Sequence, residues 1–280
     1  VKLAEALNSA RATLTKNAIE DPLEAELLLR HVLEIDRTQL YLALEEELSP
    51  EDEKVFRTLI ERRLKGEPAA YITSRREFYG RDFYVNPHTL IPRPESELLV
   101  ETALGIAKKR QLHAIADIGT GCGAIAITLA LELPNARIYA TDVSSQALDV
   151  AKVNCKRHGV NSIRLLQGDM LEPLPEPVDL IIANLPYVGR AEIAPGNAEP
   201  AIALDGGAKG TEMIAKLCRQ AKGRLSDDGT MLLEIGAGQG GEISALLKSL
   251  FPDGSVVIFN DLSGIERVVS LSLSGAKVAG

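Results

Sequence analysis

From Ala114 onward the chain alternates between short aliphatic runs and stretches of helical spacing, and few folds accommodate that order. Apolar, β-branched runs at 114–118, 137–141, 163–167, 180–183, 230–235 and 255–260 read as strands. Helical periodicity fills 124–133, 145–157, 210–225 and 240–250 between them. Strands buried on both faces and separated by crossover helices imply an α/β, doubly wound, Rossmann-like and mainly parallel sheet with helices on both sides. In such sheets ligands bind outside the carboxyl ends of the strands. The chemically suggestive residues of this chain fall at those ends.

The first 72 residues have a different texture and read as a small helical bundle. Leu3, Leu7, Ala10 and Leu14 recur at helical spacing. Asp21-Pro22-Leu23-Glu24 opens a helix through Leu33, with an N-cap and Pro at the first helical position. Thr38 is expected to cap a short helix carrying Leu40 and Leu44. Ser49-Pro50-Glu51-Asp52 begins a fourth, with Val55, Leu59 and Ile60 turned inward. This bundle carries no evident catalytic residue, so its expected role is partner binding. Residues 73–90 form a linker rich in aromatic and β-favouring side chains, and Gly80-Arg81-Asp82 reads as the bend of a hairpin. Tyr71-Ile72-Thr73 belongs to the same β-favouring run. Residues 91–280 make up the α/β domain. The tail 274–280 is expected to fray.

Charge narrows the function classes. A net charge of -8 argues against the broad basic footprint of a nucleic-acid binder, so no direct nucleic-acid contact is expected. Cys122, Cys155 and Cys218 are widely spaced, which fits reduced thiols rather than a disulfide frame or a metal site. No run reaches membrane-spanning length and none resembles a signal peptide, so a cytoplasmic protein is expected. A monomer is the default expectation.

Asp117-Ile118-Gly119-Thr120-Gly121-Cys122-Gly123 closes one strand and opens a helix. Glycines there permit a sharp turn and close approach of a ligand. Gly119, Gly121 and Ala124 also satisfy the dinucleotide fingerprint, which keeps a nicotinamide cofactor open. Asp117 favours S-adenosyl-L-methionine instead: a carboxylate two residues before the first glycine repels phosphates but suits an ammonium. Asp142 ends the next strand, where it can accept from both ribose hydroxyls. Asp169 can accept from an adenine amino group, with Met170 against the ring; a loop cap and a core methionine are the plainer alternatives.

Asn184-Leu185-Pro186-Tyr187 follows the fourth strand and suits gripping an uncharged NH2 group. An amide nitrogen is a poor nucleophile because its lone pair is delocalised. Two oxygens accepting its N–H bonds favour pyramidalisation and point the lone pair at an electrophile. The Asn184 side-chain oxygen and the Leu185 carbonyl can do this, with Pro186 holding Leu185 extended and Tyr187 packing on the amide face. A turn-capping Asn with a core Tyr is the competing account.

With these stretches, Gly66-Glu67-Pro68-Ala69-Ala70-Tyr71-Ile72, Glu77-Phe78-Tyr79-Gly80, Leu90-Ile91-Pro92-Arg93-Pro94-Glu95-Ser96-Glu97 and Ala203-Leu204-Asp205-Gly206-Gly207, the chain resembles the HemK/PrmC family. That family comprises S-adenosyl-L-methionine-dependent enzymes that methylate N5 of the glutamine in the Gly-Gly-Gln motif of peptide chain release factors. The resemblance implies a seven-stranded methyltransferase domain, a β-hairpin connection and a helical domain that engages release factors 1 and 2. It also implies S-adenosyl-L-homocysteine as the product. Leu185 stands where the family has Pro, Ser96 where Thr is usual, and Lys209 where an acidic residue is common. An adenine-amine methyltransferase, a ribosomal-protein glutamine methyltransferase and an NAD-dependent oxidoreductase are the alternatives.

Overall fold

A computed structural model describes residues 1–19 and 21–273. The tail from Ser274, expected to fray, lies outside the described residues. The chain divides into two compact units, Val1–Arg75 and a second beginning at Arg76.

In the first unit, α1 (Leu3–Lys16) buries Leu3, Leu7, Ala10 and Leu14 along one stripe, as their spacing requires. Helix α2 (Leu23–Leu33) starts where Asp21 Oδ1 accepts the Leu23 amide at 2.9 Å. Helix α3 (Arg37–Leu42) is capped by Asp36 rather than Thr38, because Asp36 and Gln39 close a reciprocal capping box. In α4 (Pro50–Leu64) Ser49 is the cap, and Phe56, Leu59 and Ile60 are the buried residues. Val55, expected inward, is 44% exposed: a one-residue shift places the aromatic ring on the core stripe instead. Tyr71 and Ile72, assigned to a β-favouring run, end a short helix, α5 (Ala69–Ile72), whose Ala69 and Ile72 side chains join the core of this unit. Burial there outweighs the intrinsic preference of Tyr71 and Ile72 for strands.

The second unit opens with a hairpin, β1 (Arg76–Phe78) and β2 (Arg81–Phe83). Its turn is Tyr79-Gly80, with φ of 51° and 68°, one residue earlier than the bend read from Gly80-Arg81-Asp82. Two successive left-handed residues make the turn whose twist matches a hairpin. After a single 3-10 turn at Pro94–Ser96 comes α6 (Glu97–Ala107). There follow β3 (Ala114–Ile118), α7 (Ala124–Glu132), β4 (Arg137–Asp142), α8 (Ser145–Arg157), β5 (Ile163–Gln167) and β6 (Val178–Ala183). The unit ends with α9 (Glu212–Gln220), β7 (Leu225–Glu234), α10 (Gly240–Leu250), β8 (Ser255–Asn260) and β9 (Glu266–Ser272).

The seven strands are ordered β5-β4-β3-β6-β7-β9-β8. All pair in parallel except β9, which is antiparallel to both neighbours. Strand β9 is absent from the sequence reading, since it returns by a hairpin and has no crossover helix to announce it. The path turns from one flank of β3 to the other between β5 and β6. Right-handed crossovers therefore put α7 and α8 on one face and α9 and α10 on the opposite one. That reversal opens a crevice beyond the carboxyl ends of β3 and β6, the place where doubly wound sheets hold ligands.

Candidate active site

The loop after β3 is held from within. Gly119, Gly121 and Gly123 have φ of 71°, 56° and 83°, which only glycine adopts without strain. The Gly119 and Thr120 amides both donate to the Thr141 carbonyl at 2.9 Å, and the Gly123 amide donates to the Thr120 carbonyl at 2.9 Å. The Gly121 amide donates to Asp142 Oδ2 at 2.9 Å. These amides would cradle a phosphate in a dinucleotide site. Here they are committed to the protein, and a carboxylate takes the place an anion would occupy.

Asp117 is 1% exposed, and its Oδ2 accepts from Thr120 Oγ1 at 2.7 Å and from the Ala126 amide at 3.2 Å. Burial pushes its pKa up to about 7 against the effect of those two bonds, and the negative Asp142 nearby adds to the rise. Asp142 accepts on its other oxygen from the Ser144 amide at 2.9 Å, and burial raises its pKa too. Cys122 is buried, and desolvation pushes its thiol up to about 12, which makes it a poor nucleophile.

A cavity of about 440 Å³ lies over these strand ends. It falls within the range of roughly 300–1,000 Å³ that small-molecule and cofactor sites occupy. Gly119, Thr120, Gly121 and Cys122 line it, with Asp142, Asp169 and Met170. Asn184, Leu185 and Pro186 close its other end. Met170 sits in left-handed backbone at φ 54°, a conformation that costs a non-glycine residue about 1–3 kcal/mol and concentrates at ligand sites. Asp169, expected to face an adenine amine, carries an ion pair with Lys216 of α9 while still lining the cavity. Asp117, Gly123 and Tyr187 do not line it. Asp117 supports the loop, Gly123 begins α7, and the Tyr187 hydroxyl donates to Glu234 Oε1 at 3.2 Å. The ring expected against a substrate amide is thus tied back toward β7.

Asn184 Nδ2 donates to Ser96 Oγ at 2.9 Å. With its NH2 engaged there, the amide oxygen is the atom left for the cavity. The Tyr187 carbonyl accepts from Gln239 Nε2 at 2.9 Å, and Gln239 Oε1 in turn accepts the Gly236 amide at 2.8 Å. A second strand-like segment runs beside the acceptor corner, with the Val188 amide donating to Leu204 and the Gly206 amide to Val188. Glu199 accepts the Ile91 amide at 2.9 Å and pairs with Arg93. It thereby ties the 190–205 segment, which brings Ile202 and Ala203 to the cavity, to the Ile-Pro-Arg-Pro stretch.

Glu234 and Gln239 escaped the sequence reading. Glu234 did leave a signal: a lone carboxylate ends the apolar run Met231-Leu232-Leu233, where a buried charge is rarely placed without purpose. Gln239 left none.

Residues 5–73 match the family model described as PrmC N-terminal domain, and residues 94–261 match that described as Methyltransferase small domain. The chain is 40% identical over 273 residues to a release factor glutamine methyltransferase of Moorella thermoacetica, covering 95% of this chain and 96% of that protein. It is 41% identical over 266 residues to the enzyme of the same name in Bordetella pertussis, covering 91% and 98%. Among solved structures, a ribosomal protein L11 methylase from Lactobacillus delbrueckii subsp. bulgaricus superposes with a TM-score of 0.51 at 22% identity, over 68% of this chain and 83% of that one. This last likeness is one of fold. The two domain matches in sequence order and the near full-length identity place the chain in the release factor glutamine methyltransferase family.

Proposed function

We propose that this enzyme transfers a methyl group from S-adenosyl-L-methionine to the side-chain N5 of the glutamine in the Gly-Gly-Gln motif of peptide chain release factors 1 and 2. The observation that carries the reading is the Asn184 amide, pinned by its NH2 to Ser96 so that its oxygen serves the cavity. The cofactor reading has its own support. A methionine-derived cofactor needs no phosphate cradle, and the Gly119, Thr120, Gly121 and Gly123 amides are already bonded within the protein. Asp142 offers acceptor oxygens at the ribose position, and Asp117 beneath the loop would suit an ammonium in its ionised form.

When bound, S-adenosyl-L-methionine supplies an electrophilic sulfonium methyl. The protein supplies alignment. Asn184 Oδ1 and the Leu185 carbonyl accept the two N–H bonds of the glutamine amide and turn its lone pair toward the methyl. Held by Asn184 and Leu185, the nitrogen would take the methyl as the S–CH3 bond breaks, and its partner would depart as S-adenosyl-L-homocysteine. The methylated nitrogen then releases one proton to water, so the site needs no strong base. The helical unit carries no evident catalytic residue, and in this reading it would be the part that engages the release factor. Among the described residues no helix is long and apolar enough to cross a membrane.

The test is to incubate the enzyme with methyl-labelled S-adenosyl-L-methionine and each release factor, then map the label by peptide mass spectrometry. Label on the Gly-Gly-Gln glutamine is expected. Label on nucleic acid or on a ribosomal protein, with the release factors bare, would overturn the assignment.

A further inference from the structure

Asn154 is fully buried in the last turns of α8, and the site described above makes no use of it. Its side chain is nonetheless committed on both atoms. Oδ1 accepts the Tyr84 amide at 2.7 Å, while Nδ2 donates to the Tyr84 carbonyl at 2.9 Å and to the Cys122 carbonyl at 2.8 Å. Two carbonyls and one N–H leave the amide a single orientation, since a flip would set NH2 against N–H and oxygen against two oxygens. The Cys122 carbonyl lies before α7, whose first bond runs from the Ile127 amide to the Gly123 carbonyl. The Ala126 amide, four residues beyond Cys122, is taken by Asp117. Helix α8 also approaches this loop closely: a Cβ on Gly123 would stand 3.2 Å from Ala151 Cβ.

One amide thus holds two parts of the cavity wall. Residues 119–122 line the cavity, and so do His88, Thr89, Leu90 and Pro92. Between Tyr84 and those four residues the chain is tightly built. Val85 is fully buried, the His88 amide donates to Asn86 Oδ1 at 3.0 Å, and the Thr89 amide donates to the Asn86 carbonyl at 3.1 Å. A restraint on Tyr84 is therefore passed along to the wall. We infer that Asn154 is a positioning residue: it couples the cofactor loop to the 84–92 segment, so that a ligand held by the loop also fixes that wall. The inference rests on the cofactor reading given above. Anchoring the hairpin does not by itself account for the bond to Cys122, and α8 has separate anchors for that purpose. His158 Nε2 donates to the Asp82 carbonyl at 3.0 Å, and its ring lies 4.8 Å from that of Phe83. Arg157 stands 5.0 Å over the Tyr84 ring.

The test follows two quantities in the whole chain: affinity for S-adenosyl-L-homocysteine by calorimetry, and hydrogen exchange at the Tyr84 amide. Tyr84 does not itself line the cavity. In wild type, saturating ligand should still slow exchange at its amide by about 10-fold. Asn154→Asp keeps an acceptor for that amide but, once ionised, has no proton for Cys122. Coupling is reciprocal, so this variant should bind the ligand about 10-fold more weakly, and the ligand should change Tyr84 exchange by less than about twofold. Asn154→Ala should show the same loss of affinity. His158→Ala loosens the hairpin at Asp82 and leaves Asn154 in place, so its affinity should stay within about threefold even where its unfolding midpoint falls as far. Wild-type affinity with an undiminished Tyr84 response in Asn154→Asp would overturn the inference. So would equal losses of affinity in Asn154→Ala and His158→Ala, which mark a structural role alone; that comparison decides where the Asp variant does not fold. A wild-type protein that binds NAD and not S-adenosyl-L-homocysteine would instead overturn the cofactor reading, and the same variants are then compared with NAD.

Discussion

Gly206 lies so near the acceptor corner that a Cβ on it would stand 2.7 Å from the Pro186 carbonyl oxygen and 2.8 Å from Tyr187 Cα. The requirement is one of space: two backbones cross here, bound by the Gly206 amide donating to the Val188 carbonyl at 2.9 Å. Gly206→Ala forces them apart. Overpacking of this kind costs about 1–3 kcal/mol. A displacement near 1 Å at an aligned site costs on the order of 100-fold in rate. Urea unfolding and kcat measured together should show both losses; a normal kcat would mean that Asn184 and its neighbours are not held by this contact.

Leu185 replaces a family proline, and sequence reasoning treats it as acting through its carbonyl alone. The side chain is also used: it is 6% exposed within the core cluster, and a Cβ on Gly119 would meet its Cδ2 at 3.0 Å. Leu185→Pro should therefore lower stability by about 1–2 kcal/mol through lost packing. Methyl transfer should stay within about threefold, since the carbonyl remains. A large drop in kcat with unchanged stability would contradict the carbonyl role.

Much of this fold was legible because the central strands are apolar runs closed by a glycine, a carboxylate or, at β6, Asn184. Strands β3, β5 and β8 coincide with their sequence readings to the residue. Strand β9 was not legible, because an antiparallel return through Asp261 and Gly264 lacks the helix that gives the alternation its rhythm. The cap of α3 went astray for a similar reason: Asp36 and Thr38 both suit the role, and only the reach of Gln39 decides. At the site, the 119–122 and 184–186 stretches that line the cavity were readable as motifs, whereas Ile202, Met213 and Lys216 were not. Nor were the residues that orient the second stretch, because Ser96, Glu234 and Gln239 meet Asn184 and Tyr187 only across the folded sheet.

Asp142 should govern cofactor affinity. Both of its oxygens already accept loop amides, Gly121 and Ser144, so each has one further direction free for ribose hydroxyls. Asp142→Asn turns one oxygen into an NH2 that faces an N–H, which loosens the loop and removes an acceptor. Bonds to a charged group contribute about 1.5–3 kcal/mol, so affinity for S-adenosyl-L-homocysteine should fall on the order of 10- to 100-fold by calorimetry. An unchanged affinity would remove Asp142 from the cofactor site.

Asn184→Ala separates binding from chemistry. The alanine cannot accept an amide N–H, so transfer should fall by about 100- to 1,000-fold, while cofactor affinity stays within a few fold. Equal loss of both would make Asn184 a turn cap.

Asp117 makes the stability of the fold depend on pH. Its carboxyl titrates at about 7 in the folded chain, against about 3.9 for an unfolded one. Between those values the native state holds a proton that the unfolded state has released, so stability falls as pH rises through the window and levels off above it. The contribution is fully present below about pH 4, and its loss by about pH 8 amounts to roughly 4 kcal/mol. Asp117→Asn removes the ionisation yet keeps an oxygen to accept from Thr120 and the Ala126 amide. The variant should match wild type in acid, exceed it in alkali and show a flatter curve between, measured by urea unfolding across the range. Its affinity for S-adenosyl-L-homocysteine should fall most where wild-type Asp117 is ionised, because the charge it lacks is the one that attracts the ammonium. A wild-type curve that the substitution leaves unchanged would mean that Asp117 ionises at the same pH in the folded and unfolded chain, and the argument that burial raises its pKa would fail.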